Sequence, residues 1–343
     1  MNAMTPGSGG GPAERAKAAI LEDVASLAGV SAMTVSRVLN TPEKVRPETR
    51  TRVLAAIREL GYRPNFAARS LATGRSGVLG VVSFDTTLYG PASTLYAIES
   101  AAREHDYLVN IASLKAMTRR SIAEGVDRLR QQSVDGIIII APHESGAVSL
   151  QDLPPDLPVV DVGGGDRLPV PAIAVDHQAG AMRATRHLLN LGHETVHHLS
   201  GPANWIDANG RIAGWRKALG DHAAPEPLAG DWTANSGYEQ GKRLARDPSV
   251  TAVFVANDPM ALGLMRALRE AGRPVPEDVS VVGYDDVPEA AYFWPPLTTV
   301  RQNFETLGRQ AFQLLLDQME GAESAERRTV EPELVVREST DRR

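Results

Sequence analysis

Between Gly29 and Asn40 the chain reads GVSAMTVSRVLN, and helical spacing puts Ala32, Met33, Ser36, Arg37 and Asn40 on one side with Val35, Val38 and Leu39 on the other. An arginine fork fits the two acceptors of a guanine edge, while hydroxyls and amides such as those of Ser31, Thr34, Ser36 and Asn40 suit phosphate oxygens. Ala32 and Met33 have no hydrogen-bonding group, so the base feature open to them is a thymine methyl. A second set is scattered. Asp161, Asn257 and Asp285 sit where the apolar runs VVDV, AVFVAN and VVGYD end, and Arg211 opens RIAGW. Carboxylates, an amide and a guanidinium can each engage two adjacent hydroxyls. Phe84, Trp205, Trp232 and Phe304 are the rings that could stack on a pyranose C–H face, with Leu88 as further apolar wall.

The elements that must carry the first set are short helices. Leu21, Val24, Ala25 and Ala28 form one apolar stripe, Gly29 supplies a turn, and the Ser31 hydroxyl is placed to cap the next helix near Thr34. A third helix is expected from Pro47, with Val53, Leu54, Ile57 and Leu60 inward and Gly61 as its stop. Two short helices across a Gly-containing turn make a helix-turn-helix, whose second member fits a major groove. A plain three-helix bundle with a solvated face fits the pattern equally well.

Composition narrows the classes. The chain has 343 residues, enough for two or three packed units, and no cysteine, so disulfides and thiolate metal sites are excluded and a reducing cytoplasm is expected. The longest apolar run, from Gly136, is strand-sized, which gives no membrane span. The Gly-, Pro- and Ser-rich start, residues 1–18, reads as a disordered tail without a secretory signal. Residues 1–75 hold 11 Lys and Arg against 6 Asp and Glu, a charge of +5, which leaves 25 against 36, or −11, for the rest. A basic head on an acidic body is the asymmetry of a chain whose head alone meets a polyanion.

VASLAGVSAMTVSRVLN, VRPETRTRVLAAIRELGYRPN and AARSLATGRS resemble, in order and spacing, the DNA-binding head of the lactose-repressor (LacI/GalR) family. By position the resemblance implies that Ala32 and Met33 choose the operator sequence, that Arg37 reads a guanine, and that Ser31, Thr34, Ser36 and Asn40 hold phosphates. Asn65 to Gly74 is similar to the family's hinge, which becomes helical on operator DNA. Leu71 matches the minor-groove wedge, Ala68 the close approach across the dyad, and Asn65 opens the segment. Ile20 and Arg46 stand where the family has hydroxyl caps. The segments implied are a tail at 1–18, a helix-turn-helix domain at 19–64, a hinge at 65–76 and a body at 77–343.

The body alternates strand-like runs (VLGVVSF, YLVNIASL, GIIIIAP, PVVDVGG, TVHHLSG, AVFVAND, VSVVGYDD) with helical patterns, which predicts parallel sheets in two α/β lobes. LLNLGHETVHHLSGP, RIAGWRKAL, GDWTANSGY, VFVANDPMALGLMRAL and PPLTTVRQNF continue the resemblance. It implies a two-lobed, periplasmic-binding-protein-like body that closes on a small effector. Arg211, Asn257 and Asp285 then match sugar-hydroxyl binders, and Asp161, Trp232 and Phe304 other pocket residues. Asn209 and Gly210 replace bulkier residues and are expected to widen the rim. The absence of a C-terminal heptad segment predicts a homodimer.

An enzyme would need a catalytic signature, and G-x-G-x-x-G, the P-loop and G-x-S-x-G are all missing. His193, His197 and His198 could suggest a metal, but His197 and His198 are adjacent in a strand and face opposite ways. The expectation is a repressor without a cofactor, bound to operator DNA and released by a small saccharide. A nucleobase effector is the alternative.

Overall fold

The computed structural model describes residues 19–62, 75–114, 116, 118–140, 157–163, 170–322 and 326–343. They fall into two compact units divided between Arg75 and Ser76.

The first unit is three helices, α1 (Leu21–Ala28), α2 (Ala32–Asn40) and α3 (Pro47–Leu60). Gly29, at φ 64°, turns the chain out of α1 in the left-handed region, and Val30 N–H closes the turn on the Ala25 carbonyl at 3.0 Å. Ser31 then caps α2: its Oγ accepts from Thr34 N–H at 3.2 Å. Ile20 has no oxygen to cap α1, and the Asp23 carboxylate reaches back to the Ile20 N–H at 2.9 Å instead. Arg46 makes no side-chain cap either, but Pro47 at the first position of α3 has no N–H to satisfy. The core is Val24, Ala25, Ala28, Val35, Val38, Val53 and Ala56. The expected stripe of α3 is corrected here, since Leu54 and Leu60 are 43% and 36% exposed and Ala56 takes the inward place. Small residues let three short helices approach closely, so the longer leucines are left outside.

The second unit contains two six-stranded sheets, joined as two lobes. The first sheet uses β1 (Val78–Phe84), β2 (Leu108–Leu114), β3 (Gly136–Ile140), β4 (Val159–Val162), β5 (Ala172–Val175) and β11 (Arg327–Val330), in the order β11-β5-β4-β3-β1-β2 and wholly parallel. Helices α4 (Tyr89–Glu104) and α10 (Phe304–Met319) cover one face and α5 (Arg119–Gln131) the other. The second sheet uses β6 (His197–Ser200), β7 (Leu228–Ala229), β8 (Ala252–Val255), β9 (Ser280–Asp285), β10 (Thr298–Arg301) and β12 (Glu333–Val335), in the order β12-β10-β9-β8-β6-β7, with β12 antiparallel. Helices α6 (His177–Asn190) and α7 (Ile206–Leu219) pack on one face, and α8 (Ala234–Leu244) and α9 (Asp258–Glu270) on the other. Being covered on both faces makes the central strands apolar throughout, as in the fully buried GIIII of β3.

The chain passes between the lobes three times, at Asp176 between β5 and α6, at Gln302–Asn303 between β10 and α10, and at Glu331–Pro332 between β11 and β12. The carboxyl ends of strands from both sheets meet beside these crossings, which is where an α/β fold leaves room for a ligand.

Candidate functional sites

On the head, the outward side of α2 carries Met33, 65% exposed, with Arg37 also exposed and Ala32 and Ser36 half-buried. Ser31 and Thr34 are tied to each other, hydroxyl to hydroxyl at 2.9 Å, so both build the helix start. Asn40 closes α2. Asn65, Ala68 and Leu71 lie outside the described residues, as does the tail at 1–18.

In the body a cleft of about 680 Å³ lies where the lobes meet, and seven of the nine expected residues line it: Leu88, Trp205, Arg211, Trp232, Asn257, Asp285 and Phe304. Phe84 and Asp161 do not. Phe84 ends β1 half-buried, its ring 6.1 Å from that of Trp205, and so backs the cleft wall. Asp161 is third of four residues in β4, not its end; strand alternation puts it with Val159 on the side of α5, fully buried, while Val162 and Gly163 form the wall.

Arg211 stands in the second turn of α7 and is 4% exposed. Its guanidinium lies over the Tyr284 ring at 3.9 Å and 5.3 Å from the Trp232 ring. Nε donates to His177 Nδ1 at 3.4 Å, Nη1 donates to the Ala256 carbonyl, and Nη2 is 3.9 Å from Asp285 Oδ1. Asp285 ends β9 at φ 111°, and Asp286 follows at φ 54°, two consecutive side chains in the left-handed half of the map. The turn is held from several sides. Gln302 donates to Asp285 Oδ1 at 2.6 Å, Arg301 and Arg337 each donate to Asp286 at 2.6 Å, and Val287 N–H donates to Asp258 at 2.9 Å. Burial pushes the Asp285 carboxyl up to about 6, against the pull of Arg211 and Gln302. Asp258, behind it, is raised well above the usual carboxylate range by burial and by the charge of Asp285.

Asn257 lies two residues beyond β8 and caps α9, accepting from Met260 N–H at 3.0 Å and donating to the Trp232 carbonyl at 3.0 Å. Its amide therefore builds the wall first and meets a ligand with what is left. Trp232, at φ 73°, fits only because residue 201 is glycine: a Cβ there would fall 2.1 Å from the indole. Trp205 meets Trp232 edge to face at 5.4 Å, and Tyr89 meets Phe304 likewise at 5.7 Å.

Sequence reasoning missed Tyr89, His177, Asp207, Tyr284 and Gln302. His177 Nε2 is 3.2 Å from Asp207 Oδ1, and its Nδ1 is 3.2 Å from the Tyr284 hydroxyl. Although burial opposes ionisation, the adjoining His177, which hydrogen-bonds the carboxylate, and the charge of Arg211 hold Asp207 below the usual carboxylate range. The one legible signal was the spacing of Asp207 and Arg211, four apart and so on one face of a helix. Neither Asn209 nor Gly210 lines the cleft. Asn209 donates to the Ala203 carbonyl at 2.9 Å, and a Cβ on Gly210 would come within 3.1 Å of His177 Cβ, so the glycine admits His177 against α7. His193 pairs with Thr251 Oγ1 and His198 with the Phe254 carbonyl, separate partners at 3.0 and 2.9 Å.

Residues 20–65 match the model for bacterial regulatory proteins of the lacI family, and residues 185–340 match that for a periplasmic binding protein-like domain. The chain is 36% identical to the lactose operon repressor of Escherichia coli (strain K12), over 94% of this chain and 91% of that one. It is 37% identical to the HTH-type transcriptional regulator CelR of Thermobifida fusca, over 95% and 99% of the two chains. Among solved structures, the lac repressor dimer bound to operator and the anti-inducer ONPF is similar with a TM-score of 0.84 and 35% identity, covering 95% of this chain and all of that one. A CelR–cellobiose complex is similar with a TM-score of 0.71 and 34% identity, covering 94% and 99%.

Proposed function

Because the chain belongs to the lacI family of bacterial regulatory proteins, and so is a DNA-binding transcriptional repressor, we propose that it works as a homodimer on a pseudo-palindromic operator and is released by a small saccharide. The observation that carries the saccharide reading is the cleft: Arg211 and Asp285 are buried at the end of a hollow walled by Tyr89, Trp205, Trp232 and Phe304. Guanidinium and carboxylate supply donors and acceptors to ring hydroxyls, and the aromatic faces cover C–H surface. The two aromatic pairs cross at 72° and 81°, so neither forms the parallel-walled slot that would stack a planar base on both faces. CelR with cellobiose shows that a relative of this chain binds a disaccharide.

In this reading Met33 and Ala32 contact base edges, Arg37 reads a guanine, and Asn65, Ala68 and Leu71 serve the hinge. Sugar binding favours one arrangement of the lobes. A ligand that binds one arrangement ~10⁴-fold more tightly than the other moves the population from about 1:99 to 99:1. The spacing of the two heads then no longer fits the operator. Calorimetry against cellobiose, lactose, other glucosides and galactosides, and purines tests the reading. Binding confined to a purine overturns it.

A further inference from the structure

Among the described residues lining the cleft, the charged side chains other than histidine are Asp207, Arg211, Asp285 and Glu289, three carboxylates to one guanidinium. That guanidinium is already committed. His177 sits on Nε, the Ala256 carbonyl on Nη1, and Asp285 beside Nη2, while Tyr284 and Trp232 cover its faces. The side-on fork of Nε with Nη2, which would grip a phosphate or carboxylate in two parallel bonds, is closed by the imidazole. The donors left over are on Nη1 and Nη2, with Asp285 3.9 Å from Nη2, and these suit a hydroxyl.

His177 Nδ1 accepts from Arg211, so its neutral ring must carry the proton on Nε2, which faces Asp207 Oδ1 at 3.2 Å. The imidazole thus fixes the Asp207 carboxylate on the cleft wall with its side chain 23% exposed. An anionic sugar entering here would meet carboxylates at Asp207, Asp285 and Glu289, and its own desolvation would go uncompensated.

Resting on the saccharide reading, we propose that Asp207 is a second hydroxyl-accepting carboxylate of the cleft, positioned by His177, and that the cleft takes uncharged sugars and refuses the same sugars bearing a phosphate. Asp207 and Asp285 then offer acceptors, and Arg211 donors, to neighbouring hydroxyls.

The test is calorimetry on the full chain at pH 7.5 with cellobiose, lactose and glucose, each paired with its 6-phosphate. The neutral member should bind at least 100-fold more tightly. Asp207→Asn should weaken the neutral sugar about tenfold, His177→Phe should do the same, and His177→Gln, which keeps a donor and an acceptor, should restore most of it. A readout without any sugar is the Arg211 Nε–H resonance, slow to exchange in the wild type and in His177→Gln and lost in His177→Phe. A phosphorylated sugar that outbinds its neutral partner overturns the inference and leaves the saccharide reading standing. Asp207→Asn within twofold of wild type, or an Arg211 Nε–H indifferent to His177→Phe, overturns it too. If no sugar of either charge binds and a purine does, the saccharide reading falls and this inference with it.

Discussion

Asp285→Asn should make the protein more stable at neutral pH while removing its response to effector. Burial lifts this carboxyl from 3.8 to about 6, a value that already includes the attraction of Arg211 and the hydrogen bond from Gln302. At 1.36 kcal/mol per pKa unit, ionisation costs the native state about 3 kcal/mol at pH 7 relative to the unfolded chain. The native state holds the proton more tightly, so the contribution is fully present below about pH 4 and is lost as pH rises through about 6. Asparagine has the shape of the protonated acid, still accepts from Gln302 and does not titrate. The difference in unfolding free energy between variant and wild type should therefore be near zero at pH 4 and reach about 3 kcal/mol in the variant's favour at pH 7. Urea unfolding at four pH values between 4 and 7, followed by tryptophan fluorescence with the slope m checked for constancy, measures it. A difference that does not change with pH, or a variant less stable at pH 7, refutes the reasoning.

The same carboxylate must be ionised to accept two hydroxyl bonds, so effector affinity should rise with pH across about 6; a flat profile from pH 5 to 7 by calorimetry counts against Asp285 as a ligand. Arg37→Ala should lose ~1–3 kcal/mol of discrimination between operator and scrambled DNA while keeping salt-sensitive binding to both, read by fluorescence anisotropy, and unchanged selectivity would remove its role. Ser31→Ala deletes the cap on α2 and should lower head stability by ~1 kcal/mol in thermal unfolding. Gly201→Ala puts a Cβ 2.1 Å from the Trp232 ring, so the indole must move: its emission should shift and sugar affinity fall at least tenfold, and an unshifted spectrum would show that the wall yields elsewhere.

Long, periodic segments were legible in the sequence because their signal is carried by many residues at once. The stripes of α1 and α2 and the five-residue run of β3 are of this kind. Strands β5, β10 and β11 were not read, since four residues carry little periodicity and AIAV, TTVR and RRTV are ordinary strings until a neighbouring strand pairs with them. Asp161 misled because a carboxylate after an apolar run looks like a strand end, whereas the strand pairs one residue further, to Val162, and alternation puts Asp161 on the face of Val159. For the cleft, Arg211 and Asp285 were identifiable by their strings. Their partners were not: His177 lies 34 residues from Arg211 and Tyr284 lies 107 from His177, and only the folded lobe brings the three together.

The three crossings between lobes also order events in time. A ribosome delivers β1 to β5 first, but β5 pairs along one edge with β11 and the sheet face is covered by α10, which begins at Phe304. At 5–20 residues per second the stretch from Val175 to Phe304 takes roughly 6 to 26 s to emerge. Throughout that interval the nascent first lobe presents an unpaired parallel edge and, beside α4, an apolar face left open where α10 will lie, made of residues such as Ile138, Ile140 and Val160. The second lobe lacks only β12 at its own edge by then, so both lobes are closed by the last stretch of chain, β11 completing the first and β12 the second.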